Sequence, residues 1–281
     1  MHIVYSNIIL YNDDMQKLIT LYASDFGKPN IVIKNFPDTE SYVAIPQIDT
    51  LKNKQVTIYH SLYPEPEKRI FELLLILDRV KKETKNIELF VPYLPYARQD
   101  RENKKGEAVS ADILCGLLKN FGVQKLITYD CHFLPKPGNF ERCGLKIENK
   151  SAGKQLFKYA KKFFDKEKFV VISPDQGSSY FIENAKGQTG YSLKKTRRSE
   201  TEIRKMEGNF DVMGKNICIL DDIISTGGTI IHAVNHLKKL GAKKIIVGAT
   251  HGVFAGDNIT EKIMKNGCSH IFTTNAIKTN S

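Results

Sequence analysis

The segment "ICILDDIISTGGTI", residues 217–230, sets two adjacent carboxylates, Asp221 and Asp222, at the end of an apolar run. Ser225, Thr226, Gly227, Gly228 and Thr229 follow, and then a second apolar run. Successive small residues let backbone N–H groups converge on one anion. A helix that starts there turns its positive end toward the same place, and the threonine hydroxyls add donors. That is a cradle for a monophosphate. It is not a P-loop, because GxxxxGK[ST] occurs nowhere in the chain. The aspartates cannot face the phosphate, since like charges repel; they suit hydroxyls or a cation. A ligand with a phosphate at one end and vicinal hydroxyls a short way off is a pentose 5-phosphate. The plainer alternative is a capped strand–helix turn with Asp222 as the cap.

A second group of chemical residues lies in "PYLPYARQDR", residues 92–101. Arg98 and Arg101 carry guanidinium forks that grip phosphate through paired donors and can stack on a base. Gln99 and Asp100 lie between them; the alternative is surface charge on a loop. Asp175, in "SPDQG", is a hard oxygen donor of the kind Mg²⁺ takes while keeping several waters. His132, in "YDCH", reads on chemistry alone as a helix or loop cap. The stretch "QTGYSLKKTRRSETEIRKMEG" is rich in charge, poor in apolar anchors and has glycine near each end. It is expected to be a mobile loop able to carry positive charge to a reacting group and to exclude water; the alternative is a solvated charge run.

These residues need a frame. Short apolar runs at 31–33, 43–45, 56–59, 87–91, 126–129, 169–173, 217–220, 245–250 and 271–273 read as strands. Helical patterns at 67–84, 110–121, 151–164 and 229–240 lie between many of them, the last stopped by Gly241. Strand and helix in alternation predict α/β architecture with largely parallel sheets. Four strands, in "KLITYDCH", "FVVISPDQGS", "ICILDDIISTGG" and "IIVGATHG", run from apolar into polar or acidic residues. Ligands of open parallel sheets bind beyond the carboxyl ends of strands, so these ends predict one large polar site. The segment "PKPGNFERCGLKIENKS", 135–151, is rich in Pro, Gly and charge and is expected to link two domains, 1–143 and 144–281.

Composition narrows the class. A chain of 281 residues accommodates two domains. No stretch approaches the ~20 apolar residues that span a bilayer, and "MHIVYSNIILYNDD" lacks the pattern of a secretory signal. The five cysteines form no CxxC pair, which suggests reduced thiols in the cytosol. The net charge of +11 is spread over dispersed lysines. It suits phosphorylated substrates, and the expectation is a cytoplasmic protein with neither nucleic acid nor membrane as partner.

"ILDDIISTGGT" resembles the ribose-5-phosphate loop shared by type I phosphoribosyltransferases and ribose-phosphate diphosphokinases. The remaining motifs point to the diphosphokinases (phosphoribosyl-pyrophosphate, or PRPP, synthetases). "PYLPYARQDR" resembles their ATP-binding segment, "NFPDTE" (35–40) their adenine loop, "YDCH" their metal-binding histidine segment, and "SPDQG" their pyrophosphate-side loop. "KKTRRS" (194–199) resembles the catalytic flexible loop, and "ATHGVF" (249–254) a further signature. The resemblance implies two domains of the type I phosphoribosyltransferase type, each a largely parallel sheet flanked by helices, with the active site between them. It implies diphosphoryl transfer from ATP to the 1-hydroxyl of ribose 5-phosphate. Lys195 and Arg197 would be catalytic, with Lys194 and Arg198 as solvated charges. Phe36, Asp38, Glu40, Arg98, Gln99, Asp100 and Arg101 would bind ATP. Asp221, Asp222 and Ser225–Thr229 would bind ribose 5-phosphate. His132 and Asp175 would serve Mg²⁺, with Asp130 in support. The adenine loop of the family reaches a neighbouring subunit's site, which implies a homo-oligomer, at least a dimer. Two departures stand out. Thr39 occupies a position where the family often has Gly, and the sequence ends at "AIKTNS", before a strand and helix that typical members add. The alternatives are a PRPP-consuming phosphoribosyltransferase, which has no use for Arg98–Arg101 or Lys195–Arg197, and a non-catalytic regulatory homologue, which would lack catalytic residues present here.

Overall fold

The structure is a computed structural model that describes residues 19–23, 29–165, 167–183, 190–197, 203–207 and 211–277, with backbone alone for Ile19, Glu183, 194–197 and 203–207. Two compact units divide between Lys150 and Ser151.

The first unit is built on a six-stranded sheet. Its strands are β1 (Ile19–Tyr22), β4 (Val56–Tyr59), β5 (Ile87–Phe90), β6 (Val123–Tyr129), β7 (Gly138–Arg142) and β8 (Leu145–Lys150). The order is β1-β4-β5-β6-β8-β7, parallel except for β7, which runs antiparallel to β8. A separate antiparallel hairpin pairs β2 (Val32–Asn35) with β3 (Ser41–Ala44). Helix α1 (Pro66–Val80) opens with proline at its first position, where the missing N–H costs nothing. Leu73, Ile76, Leu77 and Val80, spaced by three and four, are its buried stripe. Helix α2 (Ser110–Asn120) buries Ala111, Leu114, Cys115 and Leu118 by the same spacing. These faces and the sheet form one apolar core.

The stretch 135–151, expected as a linker, instead carries the β7–β8 hairpin at the sheet edge. Its Pro and Gly are turn signals: Cys143 and Gly144 take positive φ of 51° and 74° at the hairpin tip. The flanking residues alternate inward and outward as a strand does, with Leu145, Ile147 and Asn149 buried.

The second unit holds a five-stranded parallel sheet, formed by β9 (Phe169–Ser173), β10 (Gly190–Ser192), β13 (Asn216–Ile224), β14 (Lys244–Gly252) and β15 (His270–Thr273). The order is β10-β9-β13-β14-β15. Strand β9 is buried along its whole length, and β13 nearly so, as parallel strands covered on both faces must be. The unit's helices are α3 (Gly153–Phe163), the single turn α4 (Tyr180–Glu183), α5 (Gly228–Lys239) and α6 (Ile259–Lys265). Ile230, Ala233, Val234 and Leu237 are the buried residues of α5. A two-stranded antiparallel ribbon joins β11 (Lys194–Arg197) to β12 (Ile203–Glu207). The segment expected as a loop takes strand conformation where it is described.

Candidate active site

Strand β13 does not stop at Leu220. It continues through both aspartates to Ile224, so Asp221 and Asp222 are strand residues, 6% and 9% exposed. The Asp222 N–H donates to Asp221 Oδ1 at 3.0 Å. Burial pushes the Asp221 carboxyl well above the usual carboxylate range, and the negative charges of Asp222 and Asp175 push it further. Three carboxylates thus act on one another in this unit. Their full ionisation calls for a cation, and their neutral or shared-proton forms call for hydroxyl partners.

After β13 the chain turns through Ser225 and Thr226 into α5. Gly227 caps the helix with a left-handed φ of 78°. A side chain there would be strained, and its Cβ would stand 3.0 Å from Ile259 Cγ2 and 3.3 Å from Ile263 Cδ1. Gly228 has no such constraint: its nearest neighbour to a Cβ would be Thr226 Oγ1, at 4.0 Å. The conformational requirement rests on Gly227, and the open approach lies over Gly228. Because α5 begins at Gly228, its first-turn N–H groups point out of the helix end, as an anion cradle requires.

Beside this loop, the end of β9 presents Asp175. Its Oδ1 accepts from the N–H groups of Gly177 (3.0 Å) and Ser178 (3.3 Å), and from Ser178 Oγ (3.4 Å). Ser192 Oγ donates to the Asp175 carbonyl at 2.9 Å, and the Ser173 hydroxyl bonds the same oxygen. The Leu193 N–H donates to the Ser173 carbonyl, and Leu193 is fully buried. Lys195 and Arg197 follow two and four residues later on β11, so the strand that carries them is anchored at the foot of the Asp175 loop. Their side chains, like that of Lys194, lie outside the described structure, as does Arg198 altogether.

In the first unit, Arg98–Arg101 form a turn after β5, with Gln99 and Asp100 half-buried between the two arginines. Tyr96 holds a left-handed φ of 62°, and its carbonyl accepts from the Gln99 N–H at 3.2 Å. The Tyr96 hydroxyl bonds Glu67, which holds that hydroxyl's pKa up to about 12. The Gln99 carbonyl accepts from the Ala111 N–H (3.2 Å), docking the turn on the positive end of α2. Arg98 is exposed. Arg101 is held by the Asp100 carboxylate through Nε at 3.2 Å and Nη2 at 3.4 Å. His132 is exposed on the loop after β6. That loop is tied by the Cys131 N–H to Asn149 Oδ1 (2.9 Å) and by Asn149 Nδ2 to the Lys136 carbonyl (3.0 Å). Asp130 is fully buried at a positive φ of 38°.

Phe36, Asp38 and Glu40 occupy the β2–β3 turn. The Glu40 N–H donates to Asp38 Oδ1 at 3.2 Å. Phe36 is 49% exposed and edge-on to Tyr42, at the rim of a groove of about 490 Å³ lined also by Phe71, Leu74, Leu75 and Phe121. It is a surface aromatic and not a core residue. Thr39, where the resembled family often has Gly, sits at φ 75°, so the turn keeps the conformation that glycine would favour.

The structure thus gathers Asp175, Asp221, Asp222 and residues 225–229 in one unit, and Phe36–Glu40, Arg98–Arg101 and His132 in the other. Among the described residues, no group of three or more His, Cys, Asp or Glu is close enough to hold a metal ion. Sequence reasoning missed Ser178 and Asn149, which fix the two loops, and Arg142, which binds Asp100 and Asp112. Asn149 and Arg142 stand in no chemical motif, and Ser178 only closes the strand end "FVVISPDQGS".

A parallel sheet with paired carboxylates in the last part of a central strand, followed by a glycine-capped helix start, defines a phosphoribosyltransferase-type protein. Residues 146–278 match the model of the phosphoribosyl transferase domain, and residues 12–122 that of the N-terminal domain of ribose phosphate pyrophosphokinase. The chain belongs to the ribose-phosphate pyrophosphokinase family and is a transferase enzyme. It is 37% identical to the ribose-phosphate pyrophosphokinase of Sulfurisphaera tokodaii, over 87% of this chain and 83% of that one. It is 36% identical to that of Pyrococcus furiosus, over 89% and 87%. The phosphoribosylpyrophosphate synthetase of Mycobacterium smegmatis superposes with a TM-score of 0.76, at 26% identity over 94% of this chain and 90% of that chain.

Proposed function

We propose that the chain carries out its family's reaction on ATP and ribose 5-phosphate, giving 5-phosphoribosyl 1-diphosphate and AMP. The observation that carries this reading is the junction of a buried carboxylate pair with a glycine-capped helix start in a single strand–turn–helix. One end suits ribose hydroxyls and the other a 5-phosphate. In the reaction, the ribose O1 forms a bond to the β-phosphorus, and the bond from that phosphorus to the oxygen bridging the α-phosphorus breaks. AMP leaves with the bonding pair, and the hydroxyl proton is released.

Ser225–Thr229 bind the 5-phosphate, and Asp221 and Asp222 the sugar hydroxyls. Phe36 stacks on adenine, with Asp38 and Glu40 accepting from its amine. Arg98 and Arg101 bind the triphosphate, with Gln99 and Asp100 shaping their turn. Lys195 and Arg197 place positive charge at the transferring group, where preorganised charge lowers the barrier. Asp175 offers the hard oxygen donor that suits Mg²⁺, and its charge, with that of Asp222, bears on Asp221. Asp175 and His132 are the residues we assign to the ion. Bound Mg²⁺ would neutralise phosphate charge.

The enzyme acts as a homo-oligomer, at least a dimer, with the adenine loop serving a neighbouring site. The exposed apolar cluster of Phe36, Tyr42 and Phe71 supports this. We assign the enzyme to the cytoplasm, in keeping with five cysteines that form no CxxC pair; no helix among the described residues is long and apolar enough to cross a membrane. The test is a reaction of purified protein with ribose 5-phosphate, ATP and Mg²⁺. AMP and 5-phosphoribosyl 1-diphosphate should form one for one; ADP as the sole nucleotide product would overturn the reading.

A further inference from the structure

We propose that Arg142 is a positioning residue: its guanidinium holds the 98–101 turn in the geometry that binds the ATP phosphates. This rests on the assignment of that turn to ATP made above.

Arg142 ends β7, at the edge of the first sheet, far along the chain from the turn. Its Nη2 donates to the Asp100 carbonyl at 2.6 Å, and its Nε donates to Asp112 Oδ1 at 2.6 Å. The guanidinium carbon lies over the Phe133 ring, 4.5 Å from the centroid. One planar group therefore touches the nucleotide turn, the first turn of α2 and the residue next to His132. A guanidinium can do this because two donors project from one rigid plane while its face remains available for a ring. An ammonium has neither the fork nor the face.

The contacts form a relay onto Arg101. Arg142 fixes the Asp100 carbonyl, and the Asp100 carboxylate holds the Arg101 guanidinium at 3.2 Å. The neighbouring Gln99 carbonyl is fixed independently by the Ala111 N–H. Without Arg142 the Asp100 carbonyl is released, and the turn is held by the bonds of Gln99 to Tyr96 and Ala111. Arg142 touches neither substrate in this account. Its side chain is 20% exposed and its partner Asp112 is 46% exposed, so the loss of Arg142 leaves Asp112 to water and spares the core. Asp112 also lies in the first turn of α2, where a carboxylate is favourable by itself.

The test uses the full chain and measures the affinity for α,β-methylene-ATP, whose α–β linkage cannot be cleaved, and separately for ribose 5-phosphate. Arg142→Ala should weaken the nucleotide about tenfold, the scale of one charged hydrogen bond, with ribose 5-phosphate affinity unchanged. Arg142→Lys should recover little of the loss. Free guanidinium ion at millimolar concentration should restore nucleotide affinity to Arg142→Ala and not to Arg142→Lys. Unchanged nucleotide affinity in Arg142→Ala, equal weakening of both ligands, or full recovery by lysine would each overturn the proposal. If Arg142→Ala does not fold, Arg142→Gln, which keeps one donor nitrogen without the charge or the fork, takes its place with the same criteria. Arg98→Ala separates the two levels. Loss of nucleotide binding there, without loss in the Arg142 variants, refutes the relay alone; no loss in Arg98→Ala refutes the assignment of the turn.

Discussion

Gly227 and Gly228 are adjacent, and the structure gives them different work. At Gly227 the backbone is left-handed, and a Cβ would press within 3.0–3.4 Å of Ile259 and Ile263, both part of the second core. Gly227→Ala should therefore cost about 1–2 kcal/mol for the backbone conformation and about 1–3 kcal/mol for displacing the isoleucines. The sum, roughly 2–5 kcal/mol, is a large share of a typical domain's ~5–15 kcal/mol. Gly228→Val meets open space instead, with Thr226 Oγ1 at 4.0 Å as the nearest atom to its Cβ. At the first position of α5, valine differs from glycine in helix propensity by only ~0.4 kcal/mol. Its stability should stay near that of the parent, but its branched side chain fills the space through which the phosphate must come. Urea unfolding of the two variants, with ribose 5-phosphate titrations of the folded proteins, separates these effects. Gly227→Ala should unfold at clearly lower urea. Gly228→Val should keep its midpoint, lose ribose 5-phosphate binding and retain nucleotide binding. Equal destabilisation by the two changes would refute the conformational argument, and intact sugar-phosphate binding in Gly228→Val would remove the phosphate from this loop.

Four further outcomes are expected. Thr39→Gly relieves a left-handed β-branched residue at φ 75°; about 1–2 kcal/mol of strain, less about 0.4–1 kcal/mol of added unfolded-chain entropy, predicts a gain of roughly 0.5–1 kcal/mol in chemical denaturation, and a loss would contradict the strain. His60 is fully buried, donates through Nε2 to the Arg69 carbonyl at 3.0 Å, and has its pKa lowered to about 4 by burial, which outweighs the lift from that hydrogen bond. A folded pKa below the unfolded one means that its contribution is present above about pH 6.5 and is lost as the pH falls toward 4; it amounts to at most ~3 kcal/mol, and the stability difference between the parent and His60→Asn should shrink over that window. Lys195→Ala or Arg197→Ala should lower kcat at least ~10²-fold with much smaller changes in substrate affinity, while Lys194→Ala and Arg198→Ala are milder; four equal effects would reduce the segment to solvated charge. Mixed oligomers of Asp38→Ala/Glu40→Ala and Lys195→Ala subunits, with exchange verified, should regain activity that neither parent has, and verified hybrids without recovery would confine each site to one chain.

The elements legible in the sequence were those whose burial is written in apolar runs. Strands β4 and β9 fall on the expected 56–59 and 169–173, because parallel strands covered on both faces read as unbroken hydrophobic segments. Helices α2 and α5 are close to their expected spans for the same reason, with an apolar stripe and a glycine just beyond each. The β7–β8 hairpin was hidden because β7, at the sheet edge, tolerates charge and glycine, and β8 beside it alternates apolar with charged residues, so the composition resembles a linker. The β11–β12 ribbon was hidden because charged residues in both strands gave no apolar pattern to read. At the site, residue types named the phosphate loop and the acids, but no residue type distinguishes Gly227 from Gly228; only φ and the isoleucines beneath do. The carboxylate pair read as following the strand, whereas hydrogen bonding to β14 carries β13 beyond it to Ile224. Arg142 had no sequence signal, since its partners lie 30 and 42 residues away.

The most direct measurement is a crystal structure of the enzyme with ribose 5-phosphate, α,β-methylene-ATP and Mg²⁺. The account predicts the 5-phosphate over residues 225–229, the ribose hydroxyls at Asp221 and Asp222, and the nucleotide phosphates at Arg98 and Arg101. A triphosphate lying in the 225–229 loop, with ribose 5-phosphate bound elsewhere, would contradict it.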